Sequence, residues 1–120
     1  VMPGDFTFRG GLDSAERLLS LPQPPSAIFA ANDEMAMAAV FAAQRRGLHV
    51  PADLSVAGFD DSPFASLVWP QLTTVRQPLA EMAQAAVDML VARGDGTDVG
   101  SAVLPHRLVE RGSTAPPPGR

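Results

Sequence analysis

The stretch AIFAANDEMAMAAVFAAQRRGLHVP, residues Ala27–Pro51, decides how the rest of the chain is interpreted. Its apolar run Ala27–Ala31 is typical of a strand that is buried on both faces of a parallel sheet. Asn32 or Asp33 then has the chemistry of a helix N-cap, and the alanine-rich helix that follows runs to about Arg46. The stretch therefore predicts a βα unit. It leaves open whether the polar residues at the junction only cap the helix or also contact a ligand.

Strand and helix patterns alternate again after this stretch. Leu54–Phe59 predicts a second strand, and LTTVRQP, residues 72–78, is a third β-rich run. Pro78 suits the first turn of a helix that extends from Leu79 to about Arg93. Repeated βα units indicate an α/β fold with a doubly wound parallel sheet.

The ends of the chain carry weaker patterns. Val1–Phe6 predicts a short extended segment, and Gly11–Leu21 predicts a helix with a leucine-rich face. Ser62–Pro70 is typical of a short helical turn that leads into an apolar loop. We expect a last strand within residues 102–114, and a tail at 115–120 that is too rich in proline to pack.

The composition excludes several classes of function. The net charge of −4 argues against direct binding of nucleic acid by this chain, because phosphate binding requires clustered positive charge. Cysteine is absent from the sequence, which excludes disulfides and thiolate metal sites. No apolar run approaches the roughly 18 residues that a membrane span requires. His49 and His106 lie apart in the sequence, one before Pro51 and one after Pro105, and are typical of surface loops, so we expect neither an enzyme nor a cofactor.

Three positions at the predicted carboxyl ends of strands could bind a ligand. Phe6 follows Gly4-Asp5, Asn32 follows AIFAA, and Asp60 follows VAGF. Ligands of open α/β sheets bind at this edge, where an aromatic ring, an amide and a carboxylate suit a polyhydroxylated molecule. Each residue also has a structural explanation: Phe6 as core, Asn32 as a helix cap, and Asp60 as a turn residue.

Four segments resemble the C-terminal part of LacI-type (LacI/GalR family) bacterial transcriptional regulators. They are GDFTFRGG, the stretch from AIFAANDEMA to SVAGFDDSP, PQLTTVRQP, and PHRLVERGSTAPP. The AND-MA motif is shared with periplasmic sugar-binding proteins, whereas SVAGFDDSP, LTTVRQP and LVERGSTAPP are more specific to the regulators. The resemblance implies a type I periplasmic-binding-protein-like fold, of which this chain would hold an incomplete C-terminal lobe.

The resemblance assigns roles to the residues at the strand ends. Phe6 matches the aromatic residue that stacks on the effector, and Asn32 and Asp60 match residues that hydrogen-bond it. Asp33 and Asp61 are expected to cap or brace the structure. Leu79 matches a position that can be aromatic in sugar-binding members, and Gln77 is an additional candidate contact.

A second set of residues could form a dimer interface. The helix from Asp33 carries more apolar side chains than one sheet face needs, and the loop after Ser62 carries large apolar groups that would otherwise be exposed. The resemblance places the dimer interface on this helix and this loop. The alternative is that these side chains pack inside the monomer. The candidates are Met37, Val40, Phe41, Val68 and Trp69.

The resemblance also implies a domain division. Residues 1–73 would form part of the C-terminal lobe, 74–98 would belong to the N-terminal lobe, 99–114 would return to the C-terminal lobe, and 115–120 would be a disordered tail. In the family topology a further strand lies between the Val1–Phe6 and Ala27–Ala31 segments. Without that strand we expect an unpaired strand edge, and association or segment exchange through it.

The function implied is effector binding and dimerisation within a cytoplasmic, DNA-binding transcriptional regulator. The effector would be a carbohydrate or a similar small molecule, and the partner a second copy of the chain. Operator DNA would be contacted only through a helix-turn-helix that is not in this sequence, and no membrane would be involved. Two alternatives stay open: a substrate-binding receptor of a sugar uptake system, and a dimerisation module without a working pocket.

Overall fold

The computed structural model describes residues 1–117, which form three α-helices, a short 3₁₀-helix and four strands. The predicted alternation of strands and helices is confirmed. In chain order the elements are α1 (Phe8–Leu19), β1 (Ala27–Phe29), α2 (Asp33–Arg45), β2 (Ser55–Asp60), the 3₁₀-helix Pro63–Ser66, β3 (Thr73–Arg76), α3 (Leu79–Gly94) and β4 (Arg107–Val109).

The strands form one sheet in the order β1-β2-β3-β4. Strand β2 pairs in parallel with both β1 and β3, with Ile28 opposite Val56 and Phe59 opposite Val75. The parallel pairs place the carboxyl ends of β1, β2 and β3 at one edge of the sheet. The α/β class with a parallel-dominated sheet is therefore confirmed.

The chain divides into two compact units. Unit 1 comprises Val1–Arg76 and the residues from Leu108 onward, and unit 2 comprises Gln77–Arg107. In unit 2, α3 has no buried residue among those the structure describes, and Leu79, Val87 and Leu90 are exposed on it. The chain therefore leaves unit 1 directly after β3 and returns to it within β4.

The core of unit 1 lies between α2 and the sheet. Its α2 side is almost entirely alanine, with Ala36, Ala38, Ala39, Ala42 and Ala43 each no more than 1 % exposed. Small side chains allow the helix axis to approach the strands closely. The sheet and the segments beside it contribute the larger apolar groups, which are Leu54, Val56 and Leu72.

The N-terminal segment differs from the prediction. Val1–Phe6 is not a strand, so that prediction is wrong. Pro3 cannot donate a ladder hydrogen bond, and Phe6 has a φ of 62°, which is incompatible with an extended strand. Helix α1 begins at Phe8 rather than Gly11, because Thr7 caps it by accepting a hydrogen bond from the Gly10 amide at 3.0 Å.

The predicted last strand is short. Only Arg107–Val109 has strand geometry, and the residues after it bond to the sheet through both backbone and side-chain atoms, with the Ser113 carbonyl accepting from the Val56 amide at 2.8 Å. The Ser113 hydroxyl, which is fully buried, donates to the Val56 carbonyl at 2.6 Å and accepts from the Thr73 amide at 2.8 Å. Residues 118–120 of the predicted disordered tail lie outside the described residues.

Candidate ligand-binding site

Asn32 links the start of α2 to the N-terminal segment. Its Oδ1 accepts a hydrogen bond from the Met35 amide at 2.8 Å, and its Nδ2 donates to the Phe6 carbonyl at 3.0 Å. The prediction that Asn32 or Asp33 caps the helix is confirmed for Asn32. The same amide group brings Phe6 beside the N-terminus of α2.

Phe6 is exposed and has a left-handed backbone conformation. Its side chain is 64 % exposed, so its alternative explanation as a core residue is wrong. A φ of 62° is uncommon for a residue other than glycine and costs about 1 kcal/mol or more. The Asp5 carboxylate holds the adjacent turn by accepting from the Thr7 hydroxyl at 2.7 Å and the Thr7 amide at 3.1 Å. A strained backbone that presents an aromatic ring to solvent is a feature of binding sites.

Asp60 and Asp61 form the turn that ends β2, and both have positive φ values, of 107° and 54°. The Asp61 side chain is 3 % exposed and lies between two guanidinium groups. Its Oδ1 accepts from Arg111 Nη2 at 2.6 Å, and its Oδ2 accepts from Arg76 Nε. Burial raises the pKa of this carboxyl, but hydrogen bonds from Arg111 and Arg76 outweigh burial and hold the pKa below its ordinary value of 3.8.

Asp33 braces the same turn from α2. Its buried carboxylate accepts from the Thr74 hydroxyl at 2.6 Å and from the Ser62 amide at 2.7 Å. The Thr74 hydroxyl also accepts from the Asp61 amide at 3.3 Å. The bracing role expected of Asp33 and Asp61 is thus confirmed. Hydrogen bonds therefore connect Phe6 to Asn32, and connect the next residue, Asp33, to the turn that contains Asp60.

An apolar groove also lies beside Phe6. It has a volume of about 380 Å³ and is formed by the N-terminal segment, α1, β1 and α2. Phe6, Leu18, Ile28 and Met35 line it, whereas Asn32 and Asp60 do not. Strand β1 is an edge strand of the described sheet, and this apolar groove lies beside it. Its chemistry suits an apolar chain segment more than a sugar.

The remaining candidates lie in different surroundings. Leu79 is exposed and Gln77 is partly buried, both in unit 2. Within residues 1–117, no group of three or more His, Asp or Glu side chains is arranged to hold a metal ion. None of the described helices is long and apolar enough to cross a membrane.

The predicted interface residues divide into exposed and buried ones. Trp69 is 83 % exposed and Phe41 is 45 % exposed, whereas Met37 and Val68 are partly buried against the core. The prediction of Val40 as an interface residue is wrong, because Val40 is 3 % exposed and packs in the core.

Two large apolar residues beside this surface were not predicted. Phe64 and Leu67 are exposed on and just after the 3₁₀-helix. Their spacing of three residues, which places side chains on one face of a 3₁₀-helix, is the signal that could have found them. A hydrogen bond from Gln44 Nε2 to the Trp69 carbonyl, at 3.1 Å, ties this loop to α2.

Residues 2–114 match the family model of the periplasmic binding protein-like domain. This chain belongs to that family. Among curated relatives, this periplasmic-binding-protein-like chain is 40 % identical over 116 residues to catabolite control protein A of Priestia megaterium, covering 95 % of the chain and 35 % of that protein. It is 43 % identical over 116 residues to the HTH-type transcriptional repressor CytR of Escherichia coli (strain K12), covering 95 % of the chain and 34 % of that protein.

Solved structures of LacI-type regulators share the periplasmic-binding-protein-like fold of this chain. The lac repressor dimer bound to operator and the anti-inducer ONPF has a TM-score of 0.87 at 38 % identity, with 92 % of this chain and 39 % of that chain covered. The transcriptional regulator CelR–cellobiose complex has a TM-score of 0.86 at 37 % identity, with 92 % and 34 % covered. The resemblance to LacI-type regulators is confirmed. The chain spans about a third of the length of the curated relatives it matches.

Proposed function

We propose that this chain is the effector-binding and dimer-forming part of a cytoplasmic, bacterial LacI-type transcriptional regulator, and that its effector is a carbohydrate. The observation that carries the proposal is the bonded edge of the sheet, where Phe6, Asn32 and the Asp60 turn are held together by hydrogen bonds. Similarity to a structure that is described as a cellobiose complex supports a sugar as the ligand class.

Each residue of this edge has a distinct part in sugar binding. The exposed Phe6 ring covers an apolar face of the sugar, and the Asp60 carboxylate accepts hydrogen bonds from its hydroxyls. Asn32 has one N–H and one oxygen lone pair left after its bonds to Phe6 and Met35, because an amide group has two donors and two acceptor sites. Asn32 can therefore cap α2 and bind ligand at the same time.

The regulatory role requires the full-length polypeptide. A sugar that binds one arrangement of two lobes more tightly than another shifts their population. That shift would change how paired helix-turn-helix domains bind an operator. Similarity to the lac repressor dimer bound to operator supports this part of the proposal. The net charge of −4 leaves DNA contact to segments outside this chain.

The domain division is proposed with the same boundaries as the sequence suggests. Residues 1–73 and 99–114 would belong to the C-terminal lobe, and residues 74–98 to the N-terminal lobe. The separation of Gln77–Arg107 as its own compact unit supports a segment with a different packing partner. The exposed apolar side chains of α3 support it as well, because such a surface is normally covered in a complete protein.

The proposed dimer surface combines α2 with the loop after β2. Phe41, Phe64, Leu67 and Trp69 are its exposed members, and Phe8 packs against Phe41 with ring centroids 6.0 Å apart. Large aromatic groups are enriched at the centres of interfaces. Phe64 and Leu67 join the predicted residues in this proposal.

Calorimetric titration of the full-length polypeptide tests the ligand proposal. The probes are D-ribose, D-galactose, cellobiose and adenosine. We expect one sugar to bind, and Asp60→Asn to weaken that binding by tenfold or more, since a hydrogen bond to a charged group contributes about 1.5–3 kcal/mol. Phe6→Ala should weaken it as well.

Asp13→Asn is the matched control, because Asp13 is exposed on α1 and pairs only weakly at the surface with Arg9. Unchanged affinity in Asp60→Asn, with an intact fold by circular dichroism, would overturn the site assignment. Failure of every sugar to bind the natural protein would overturn the carbohydrate proposal.

A further inference from the structure

Asp61 is bonded to the strand by which the chain leaves unit 1, β3, and to the segment just after the strand by which it returns, β4. Arg76, which donates to Asp61 Oδ2, is the last residue of unit 1 before Gln77. Arg111, which donates to Asp61 Oδ1 at 2.6 Å, follows the return of the chain at Leu108 by three residues. One carboxylate therefore holds the outgoing and the returning segment together.

Arg111 is itself fixed to β3. Its Nη1 donates to the Leu72 carbonyl at 2.8 Å, and its backbone amide donates to the Thr73 hydroxyl at 2.9 Å. The Arg111 side chain is 15 % exposed, so water competes little for these bonds. A displacement of the returning segment would therefore be transmitted to Asp61, because these contacts are short, directional and largely buried.

Asp61 is also the covalent neighbour of Asp60. Positive φ values at both residues make the turn unfavourable in isolation, so the contacts around it must keep it in this conformation. The contacts come from β3 through Thr74, from α2 through Asp33, and from the two arginines. Thr74 and Arg76 belong to the outgoing strand and Arg111 to the returning segment, and of these the two arginines bond the Asp61 side chain itself.

We propose that Asp61 is a positioning residue that couples ligand binding at Asp60 to the two segments that connect the units. The proposal rests on the proposed function, because it assumes that Asp60 contacts the ligand. Such coupling is reciprocal. A ligand that fixes the Asp60 turn favours the restrained state of both connecting segments, and that restrained state binds the ligand more tightly by the same factor by which the ligand favours it. Arg111 and Arg76 act through Asp61 and need not touch the ligand.

Hydrogen–deuterium exchange of the full-length polypeptide tests this coupling directly. We expect the sugar probe that binds to slow exchange in the turn at residues 59–62 and in the connecting segments 73–76 and 107–111. In Asp61→Asn the probe should still slow exchange near Asn32 but no longer in the connecting segments. A residue that only stabilised the fold would raise exchange generally and leave this ligand-linked pattern intact.

Two arginine variants provide the graded comparison. Arg111→Met, which keeps the length of the side chain without its charge, should weaken sugar binding by about tenfold, within the usual range of coupling between sites. Arg111→Lys should retain part of the coupling, because a single ammonium can still pair with Asp61. Arg9→Met, at an exposed ion pair, is the control that should change nothing.

The outcomes separate this inference from the proposed function. If natural protein binds a sugar and both Asp61→Asn and Arg111→Met show the natural affinity and the natural pattern of protection, the coupling is overturned. If no probe binds, the proposed function fails. Exchange without ligand then still tests the connection, because Arg111→Met should speed exchange at Asp61 and Ser62, and unchanged rates there would overturn it.

Discussion

Asn32 uses a single amide group to cap α2 and to bond the backbone of Phe6, 26 residues before it. The polar pair after an apolar strand and before a helix was sufficient to predict a cap at Asn32 or Asp33, because that position requires a short side chain with an acceptor. The bond from Nδ2 to the Phe6 carbonyl could not be predicted in this way. It depends on where the N-terminal segment lies, and local sequence does not determine that.

Separating the two bonds of Asn32 gives a first prediction. Asn32→Ala removes both bonds and should lower the free energy of unfolding by about 1–2 kcal/mol. Asn32→Asp keeps the acceptor for the Met35 amide and loses the donor to Phe6, so it should cost less. Urea unfolding followed by circular dichroism measures both. Equal losses for the two variants would contradict the assignment of the cap as the main contribution.

The lowered pKa of Asp61 gives a second prediction. A carboxyl whose pKa is lower in the folded state stabilises that state above its ordinary pKa of 3.8, and the stabilisation is lost as the pH falls below that value. Arginine guanidinium groups are protonated throughout this pH range, so the loss of stabilisation comes from the Asp61 carboxyl. Asp61→Asn should therefore flatten the dependence of stability on pH below about pH 4.

Thermal unfolding at intervals from pH 5 to pH 2.5 measures this difference. Asp5 and Asp53 also have lowered pKa values, from hydrogen bonds with Thr7 and with His49 respectively, and they titrate in the same range. The comparison is therefore between natural protein and Asp61→Asn, with Asp13→Asn as control. Parallel curves for natural protein and Asp61→Asn would refute the role of Asp61 in acid stability.

At the scale of elements, Gly58 shows how closely α2 lies on β2. A Cβ atom at this position would be 2.4 Å from Asp33 Oδ1 and 3.1 Å from the Ala36 side chain. Neither neighbour can move freely, because Asp33 is held by Thr74 and Ser62 and Ala36 is fully buried. The small residues on α2 and on β2 are therefore both required for the helix to pack this closely on the strand.

Gly58→Ala should consequently lower the free energy of unfolding by about 1–3 kcal/mol, as is usual for overpacked cores. Gly94→Ala is the matched control: a Cβ there meets nothing within 4 Å, and alanine favours the last turn of α3. Chemical denaturation measures both variants. A stable Gly58→Ala protein would mean that α2 can move away from the sheet at little cost.

Helices and strands could be predicted where the hydrophobic periodicity is strong. The predictions were wrong where side-chain hydrogen bonds determine the backbone conformation. The apolar run before Asn32 and the alanine-rich helix follow from local pattern, and their observed bounds differ from prediction by only a few residues. The prediction for Val1–Phe6 was wrong because the conformation of this segment depends on hydrogen bonds of the Asp5 and Asn32 side chains. The last strand was overestimated because the segment after Val109 meets the sheet at Ser113, where one backbone bond and two hydroxyl bonds take the place of a continuous ladder.

At the scale of the whole molecule, exposed apolar surfaces favour association of the chain. Two surfaces could take part: the aromatic surface formed by Phe41, Phe64, Leu67 and Trp69, and the apolar groove beside β1. The expected unpaired edge at β1 agrees with its position at the end of the strand order. Association or exchange through that edge stays a prediction.

Trp69→Glu provides the test of the aromatic surface. We expect the variant to weaken dimerisation by 30-fold or more, because loss of a central aromatic residue typically costs about 2 kcal/mol or more. Sedimentation equilibrium at micromolar concentration measures it. Leu21→Glu is the control, since Leu21 is 43 % exposed outside the proposed surface. A natural protein that is monomeric under these conditions would refute the interface altogether.

The bonds of Ser113 have a consequence for synthesis on the ribosome. Val56 and Thr73 are translated before Ser113, and the hydroxyl that joins them is 57 residues after the first and 40 after the second. All of Gln77–Arg107 must be translated before that hydroxyl becomes available. Because translation adds about 5–20 residues per second, Val56 and Thr73 remain without their hydrogen bonds to Ser113 for several seconds. A ribosome stalled within α3 would therefore carry an unfinished fold, accessible to chaperones and proteases.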